Sequence, residues 1–157
     1  MEIIEISNRP DLMEKAIHYF WKCWGSDSNF KFYQDCILNS VDKDKPLPKF
    51  YIVLSNDEII ASYALITNDI ISRQDLYPWF ACLFVNPEHR NKGIADSLLK
   101  HGLSEANKKG FEWLYLSTDL ENFYERKGWD FFGTGFNIED SEIKIYHKST
   151  ADSSSNQ

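Results

Sequence analysis

An uninterrupted apolar run, Trp79 to Val85, leads into a short turn, Asn86-Pro87-Glu88-His89-Arg90, and then into a helical pattern that opens around Asn91. Such a run bounded by a proline turn reads as a buried strand. The helix predicted over 91–109 sets Ile94, Ala95, Leu98, Leu99, Gly102, Leu103 and Ala106 on its inward side, and Lys108, Lys109 and Gly110 end it. A further β-rich segment follows at 111–116, so strand, helix and strand form one parallel crossover. The hand-over from strand to helix is also a chemical feature. The first backbone N–H groups of a helix are unpaired and its macrodipole is positive there, which suits an anion. Gly93 lets the backbone approach a ligand, the small Ala95 keeps the next turn clear, and Arg90 and Lys92 add positive charge. The segment suits a pyrophosphate.

Other phosphate-binding patterns are missing. No Gly-x-x-x-x-Gly-Lys-Ser/Thr run occurs, and Gly133-Thr134-Gly135 lacks the third glycine and the helix of a dinucleotide fingerprint. At 157 residues with 43% hydrophobic and 15% aromatic content, the chain is predicted to form one folded domain over 1–148. The Ser-rich segment 149–157 is expected to be a disordered tail. No apolar run is long enough to span a membrane and no leader pattern opens the chain, so no membrane partner is expected. The net charge of −7 argues against a nucleic-acid partner and weakly favours cationic small molecules. Three cysteines, Cys23, Cys36 and Cys82, form no Cys-x-x-Cys pair, and four scattered histidines show no ligand spacing. A cytoplasmic protein without a metal is expected.

Along the chain, Glu2 to Ile6 alternates like a strand. A helix follows from about Pro10, with Leu12, Ala16, Ile17, Phe20, Trp21 and Trp24 in register, and Gly25 stops it. Phe30, Tyr33, Ile37, Leu38 and Val41 make a second amphipathic stripe. Residues 50–54 and 59–67 read as strands joined by Ser55-Asn56-Asp57-Glu58, a hairpin signal. A short helix is predicted over 120–127, and 129–136 and 142–147 read as a closing antiparallel pair. The order is strand, two helices, three strands, helix, strand, helix, two strands: a mixed α/β arrangement.

Arg90-x-x-Gly93-x-Ala95 resembles the coenzyme A loop of the GNAT superfamily of N-acetyltransferases, whose usual form is Gln/Arg-x-x-Gly-x-Gly/Ala. Phe123-Tyr124-Glu125-Arg126-Lys127-Gly128-Trp129 is similar to the late signature of that family, aromatic-Tyr-x-x-x-Gly-aromatic. The resemblance covers about residues 50–146. It implies a mixed, strongly twisted central sheet flanked by helices, of the acyl-CoA N-acyltransferase (GNAT) type. It also implies acetyl-CoA as acetyl donor and a primary amine, of a small molecule, as acceptor. The backbone of Leu83, Phe84 and Val85 would pair with the pantetheine arm, and the amides of Arg90, Asn91, Lys92, Gly93, Ile94 and Ala95 would hold the pyrophosphate.

Acetyl transfer from a thioester to an amine needs a neutral amine, an oriented thioester and a proton for the leaving thiolate. Tyr124 matches the signature tyrosine and is the expected general acid, since a phenol stays protonated at neutral pH. It could also serve only as a core aromatic beside Phe123 and Trp129. Many family members carry a glutamate on the strand entering the loop, and Trp79 to Val85 holds no carboxylate. Asp75 and Asp119 are the candidate bases, although aspartates at such positions more often cap turns and helices. Waters near Ser117, Thr118 and Asp119 are an alternative relay. Cys82, in an apolar run, is expected to fill the core. By the resemblance, the early aromatics Tyr19, Phe20, Trp21, Trp24, Phe30, Phe32 and Tyr33 would wall the acceptor site; they could also serve as core and interface, and left exposed they would permit a homodimer. Two other readings stay open: a non-catalytic acyl-CoA sensor, and a protein N-acetyltransferase.

Overall fold

The computed structural model describes residues 1–151. Its elements are β1 (Glu2–Glu5), α1 (Met13–Trp24), α2 (Phe30–Leu38), β2 (Lys49–Ser55), β3 (Glu58–Ile66), β4 (Trp79–Val85), α3 (Ile94–Lys108), β5 (Trp113–Thr118), β6 (Asp130–Phe136) and β7 (Glu142–Ser149), with short 3-10 turns between them. The seven strands form one sheet in the order β1-β2-β3-β4-β5-β7-β6. The predicted crossover is present: β4 and β5 are parallel, paired at Trp79↔Tyr115, with α3 between them in sequence. The closing pair is antiparallel as expected, but β7 lies between β5 and β6. Packing divides the described chain into two units, 1–64 with 82–98, and 65–81 with the segment from 99 onward.

In the first unit β2 and β3 are buried along nearly their whole length, the pattern of strands covered on both faces. Tyr51 and Tyr63 stack with ring centroids 4.5 Å apart. Asn56 and Asp57 take φ of 51° and 64°, the two left-handed positions that a two-residue hairpin turn demands. Helix α1 buries Ala16, Ile17 and Phe20 of the predicted stripe, while Trp21 is half-buried and Trp24 is exposed. Gly25 does end α1, for a different reason from the one expected. Its φ is −92°, and a Cβ there would stand 2.4 Å from Trp21 Cδ1, so the site requires space rather than a left-handed backbone. Lys49 is buried, and its ammonium donates to the Asp42 carbonyl at 2.9 Å, which fastens the connector before β2.

The second unit is centred on Trp79, Ile71, Leu76 and Ile145. Trp79 Nε1 donates to the Leu76 carbonyl at 2.7 Å, so its polar edge is satisfied inside the core. Three expectations need correction here. The helix predicted from Asn91 starts at Ile94, because Asn91 and Gly93 hold left-handed φ values of 63° and 81°. The helix predicted over 120–127 is reduced to a 3-10 turn, Glu125–Lys127, preceded by Asn122 at φ 61°. The predicted tail begins too early: β7 runs to Ser149, Thr150 is buried, and its hydroxyl donates to the Phe111 carbonyl at 2.5 Å. The rest of that prediction, 152–157, lies outside the described residues.

Candidate active site

The loop 86–93 is built by Asn86. Its backbone N–H donates to the Ile60 carbonyl at 2.8 Å and its Nδ2 to the Ile59 carbonyl at 3.3 Å, while its Oδ1 accepts the Tyr19 hydroxyl at 2.7 Å. The His89 N–H closes the proline turn onto the Asn86 carbonyl at 2.9 Å. One side chain thus ties β3, α1 and the loop together. Arg90 Nε donates to the Val85 carbonyl at 2.8 Å, and its guanidinium lies 5.4 Å from the Phe84 ring centre. The charge expected near an anion therefore also stiffens the junction between strand and loop. Asn86 does not stand out in the sequence, and neither does this role of Tyr19, since each acts through a partner distant along the chain.

Asn91, Lys92 and Gly93 are exposed, Ile94 is buried and Ala95 is half-buried. The Ser97 N–H donates to the Gly93 carbonyl at 3.1 Å, so Gly93 is the capping position of α3. Glycine has no side chain with which to cap. The first-turn donors of α3 therefore have no capping group from that position, and a Cβ at Gly93 would meet nothing within 4 Å. A left-handed glycine at the helix start, facing open space, gives the room that a pyrophosphate needs. Immediately before the loop, Leu83 and Phe84 are half-buried and Val85 is buried. Cys82 takes a left-handed φ of 57°, and its carbonyl accepts the Ser62 hydroxyl at 3.0 Å. It is half-buried, so it is a kink in the strand rather than the simple core filler expected. Tyr19 and Trp24 each set a ring edge against Phe84, at 6.3 and 6.4 Å between centroids.

In the second unit Tyr124 is only 8% exposed, in edge contact with Phe123 and Trp129. Its backbone carbonyl accepts both the Lys127 and the Trp129 N–H at 3.0 Å, a cap completed by Gly128 at φ 83°. Its hydroxyl has no hydrogen-bond partner among the described residues. Burial pushes its pKa up to about 12, so at neutral pH the phenol keeps a proton not committed to the fold.

The two candidate bases lie in unpromising places. Asp75 is exposed and held by Arg73 through two hydrogen bonds, Nε to Oδ1 at 3.0 Å and Nη2 to Oδ2 at 2.8 Å. The guanidinium keeps its carboxyl below the usual carboxylate range, which makes it a poorer proton acceptor. Asp119 is exposed in the bend after β5. The carboxylate that sequence reasoning missed is Asp69, in the loop between β3 and β4. It is half-buried, it accepts the Ser117 hydroxyl at 3.3 Å, and desolvation raises its pKa to about 6 against the smaller opposing effect of that hydrogen bond. Among the described residues no group of three or more His, Cys, Asp or Glu side chains is placed to hold a metal.

Residues 46–130, over half of the chain, match the Acetyltransferase (GNAT) domain family. No curated protein matches the chain in sequence. Among solved structures, the aminoglycoside 6'-N-acetyltransferase from Enterococcus faecium is similar with a TM-score of 0.72 and 17% identity, over 96% of this chain and 97% of that one. An aminoglycoside 6'-N-acetyltransferase complexed with coenzyme A gives 0.70 and 18%, over 96% and 97%. A spermidine N-acetyltransferase chimera from Vibrio cholerae gives 0.67 and 18%, over 98% and 99%. At these identities the likeness is one of fold. With the matched domain, it places the chain among the acyltransferases that draw on coenzyme A. The chain belongs to the GNAT acetyltransferase family and is an acetyl-CoA-dependent N-acetyltransferase.

Proposed function

We propose that this enzyme acetylates a primary amine of a small molecule by direct attack, with Tyr124 as general acid. The observation that carries the reading is the left-handed Gly93 at the start of α3, with open space where a Cβ would stand, in a chain of this family. When bound, acetyl-CoA supplies the acetyl group as a thioester. The amides from Arg90 to Ala95 hold its pyrophosphate, and the backbone of Leu83, Phe84 and Val85 lines its pantetheine arm. Tyr124 keeps its proton at neutral pH, and among the described residues it has no hydrogen-bond partner to which that proton is committed, as a donor to a departing thiolate requires. Similar folds carry aminoglycoside and spermidine N-acetyltransferases, whose acceptors are small polycationic amines. That class suits the aromatic group of Tyr19, Trp24 and Phe84 and the net charge of −7. No described helix is long and apolar enough to cross a membrane, and three free thiols suit the reducing cytoplasm.

The test is thiol release from acetyl-CoA against a panel of polyamines, aminoglycosides, amino sugars and amino acids. Release that depends on one class supports the reading and names the acceptor. Coenzyme A binding by calorimetry without release on any amine points to the sensor alternative, and release only with peptide amines points to protein acetylation.

A further inference from the structure

We propose that the Asp69 carboxylate, directed at Ser117 at the end of β5, receives the cationic amine of the acceptor and takes its proton. This assignment rests on the amine-acetylation reading above and supplies the base that β4 lacks.

Three observations support it. First, Asp69 is a half-buried carboxylate, and among the described residues no cation pairs with it. Its one hydrogen bond among them, from Ser117, is long at 3.3 Å. A carboxylate accepts several hydrogen bonds, and one drawn partly out of water with a single weak donor gains little from the fold. Charged groups on neighbouring elements are committed elsewhere. Arg73 pairs with Asp75 at 2.8 Å, and Lys144, opposite Thr118 in the β5–β7 register, pairs with Glu121 at 3.4 Å. An incoming ammonium is the cation that would complete the site.

Second, the loop that carries Asp69 is fixed. Asn68 accepts the Ile71 N–H at 3.1 Å and donates to the Ile71 carbonyl at 3.2 Å. Ser72 is bound to β6 through two bonds of 2.9 Å, its N–H to the Phe136 carbonyl and the Phe136 N–H to its hydroxyl. Gly135 gives the loop room, since a Cβ there would lie 3.1 Å from Ile71. Third, Ile70 holds φ at +52°, an unfavourable backbone for a β-branched residue. Strain of that kind persists only where the surroundings over-determine it. The strained residue is the immediate neighbour of Asp69, so the loop maintains an unfavourable turn next to an under-satisfied charge.

The proton balance is complete. An N–H bond of the ammonium breaks and an O–H bond forms on Asp69, freeing the nitrogen lone pair. That pair forms the C–N bond as the C–S bond breaks. Tyr124 gives its proton to sulfur and recovers the second nitrogen proton, and Asp69 returns its proton to water. A carboxyl poised near pH 6 can accept a proton at neutral pH and release it again.

The test uses the full chain, an amine found active in thiol release, and two variants, Asp69→Asn and Ser117→Ala. Asp69→Asn is expected to lower kcat at least 100-fold with unchanged coenzyme A affinity by calorimetry. Ser117→Ala keeps the carboxylate but removes the bond that lowers its pKa. The acid limb of kcat/KM should therefore move to higher pH, and a carbon-detected NMR titration of the Asp69 carboxyl should move with it. Wild-type turnover together with unchanged kcat in Asp69→Asn, or an acid limb unmoved in Ser117→Ala, overturns the assignment and leaves the acetyltransferase reading standing. No turnover by the wild type with any amine overturns both.

Discussion

Burial acts on Asp69 and Tyr124 in the same direction and leaves them opposite tasks. Removing either group from water favours its neutral form, so the carboxyl titrates near 6 and the phenol near 12. At neutral pH one is a base and the other an acid. The carboxyl carries a stability consequence. Its folded pKa of about 6 lies above the ordinary 3.8, so the native state holds this proton more tightly than the unfolded chain does. That contribution is fully present below about pH 4 and is lost as pH rises through 6. A difference of about two between the pKa values corresponds to about 3 kcal/mol at most. Asp69→Asn should match the wild type in urea unfolding near pH 4 and be more stable above pH 7. An inactive but stabilised variant is what a charge kept for function produces; equal or lower stability above pH 7 would show that the ionised carboxylate supports the fold. Tyr124→Phe, in turn, is expected to lower turnover at least roughly tenfold with coenzyme A affinity intact. Unchanged turnover would reduce Tyr124 to the aromatic packing it shares with Phe123 and Trp129.

At the scale of elements, the loop 86–93 and the loop 67–78 do different work and should fail differently. Gly93→Ala forces a side chain onto a left-handed φ of 81° and adds a methyl at the mouth of the anion site. The expected outcome is a loss of coenzyme A affinity of tenfold or more by calorimetry, and about 1 kcal/mol of stability. Asn68→Ala frees the second loop without touching the first, so kcat should fall several-fold while coenzyme A affinity holds. If affinity falls with kcat, the two loops are not separable. The first loop was legible in the sequence because its signal is local: a strand, a proline turn and a glycine within one short segment. Its boundary was not, because Asn91 and Gly93 stop the helix through dihedrals that composition does not reveal. The late motif gave Tyr124 its place, yet the expected helix around it shrank to one 3-10 turn, Glu125–Lys127, after the left-handed Asn122. Asp69 was invisible for a related reason. It is one of 24 acidic residues, and what distinguishes it is burial against Ser117, 48 positions away. Asp75 stood out instead, and Arg73, two residues earlier, neutralises it.

For the molecule as a whole, the electrostatic problem is to admit a polyanionic donor and a cationic acceptor on a surface with a net charge of −7. The donor loop answers locally, with Arg90 and Lys92 beside the helix start and exposed amides at the cradle. Asp69 is a single charge, so capture of a polycationic acceptor should also draw on the field of the entire chain. That field is long-ranged and therefore sensitive to salt, since the screening length falls from about 30 Å at 0.01 M to about 10 Å at 0.1 M. For a polyamine such as spermidine, kcat/KM should fall several-fold across that range, mainly through KM, because long-range encounter and loose binding are weakened more than the direct contact with half-buried Asp69. A monoamine, with one charge to be steered, should show a much smaller slope. Equal slopes for the two would remove long-range attraction from acceptor recognition. The acidity would then serve solubility alone, and selectivity would rest on short-range contacts such as that of Asp69.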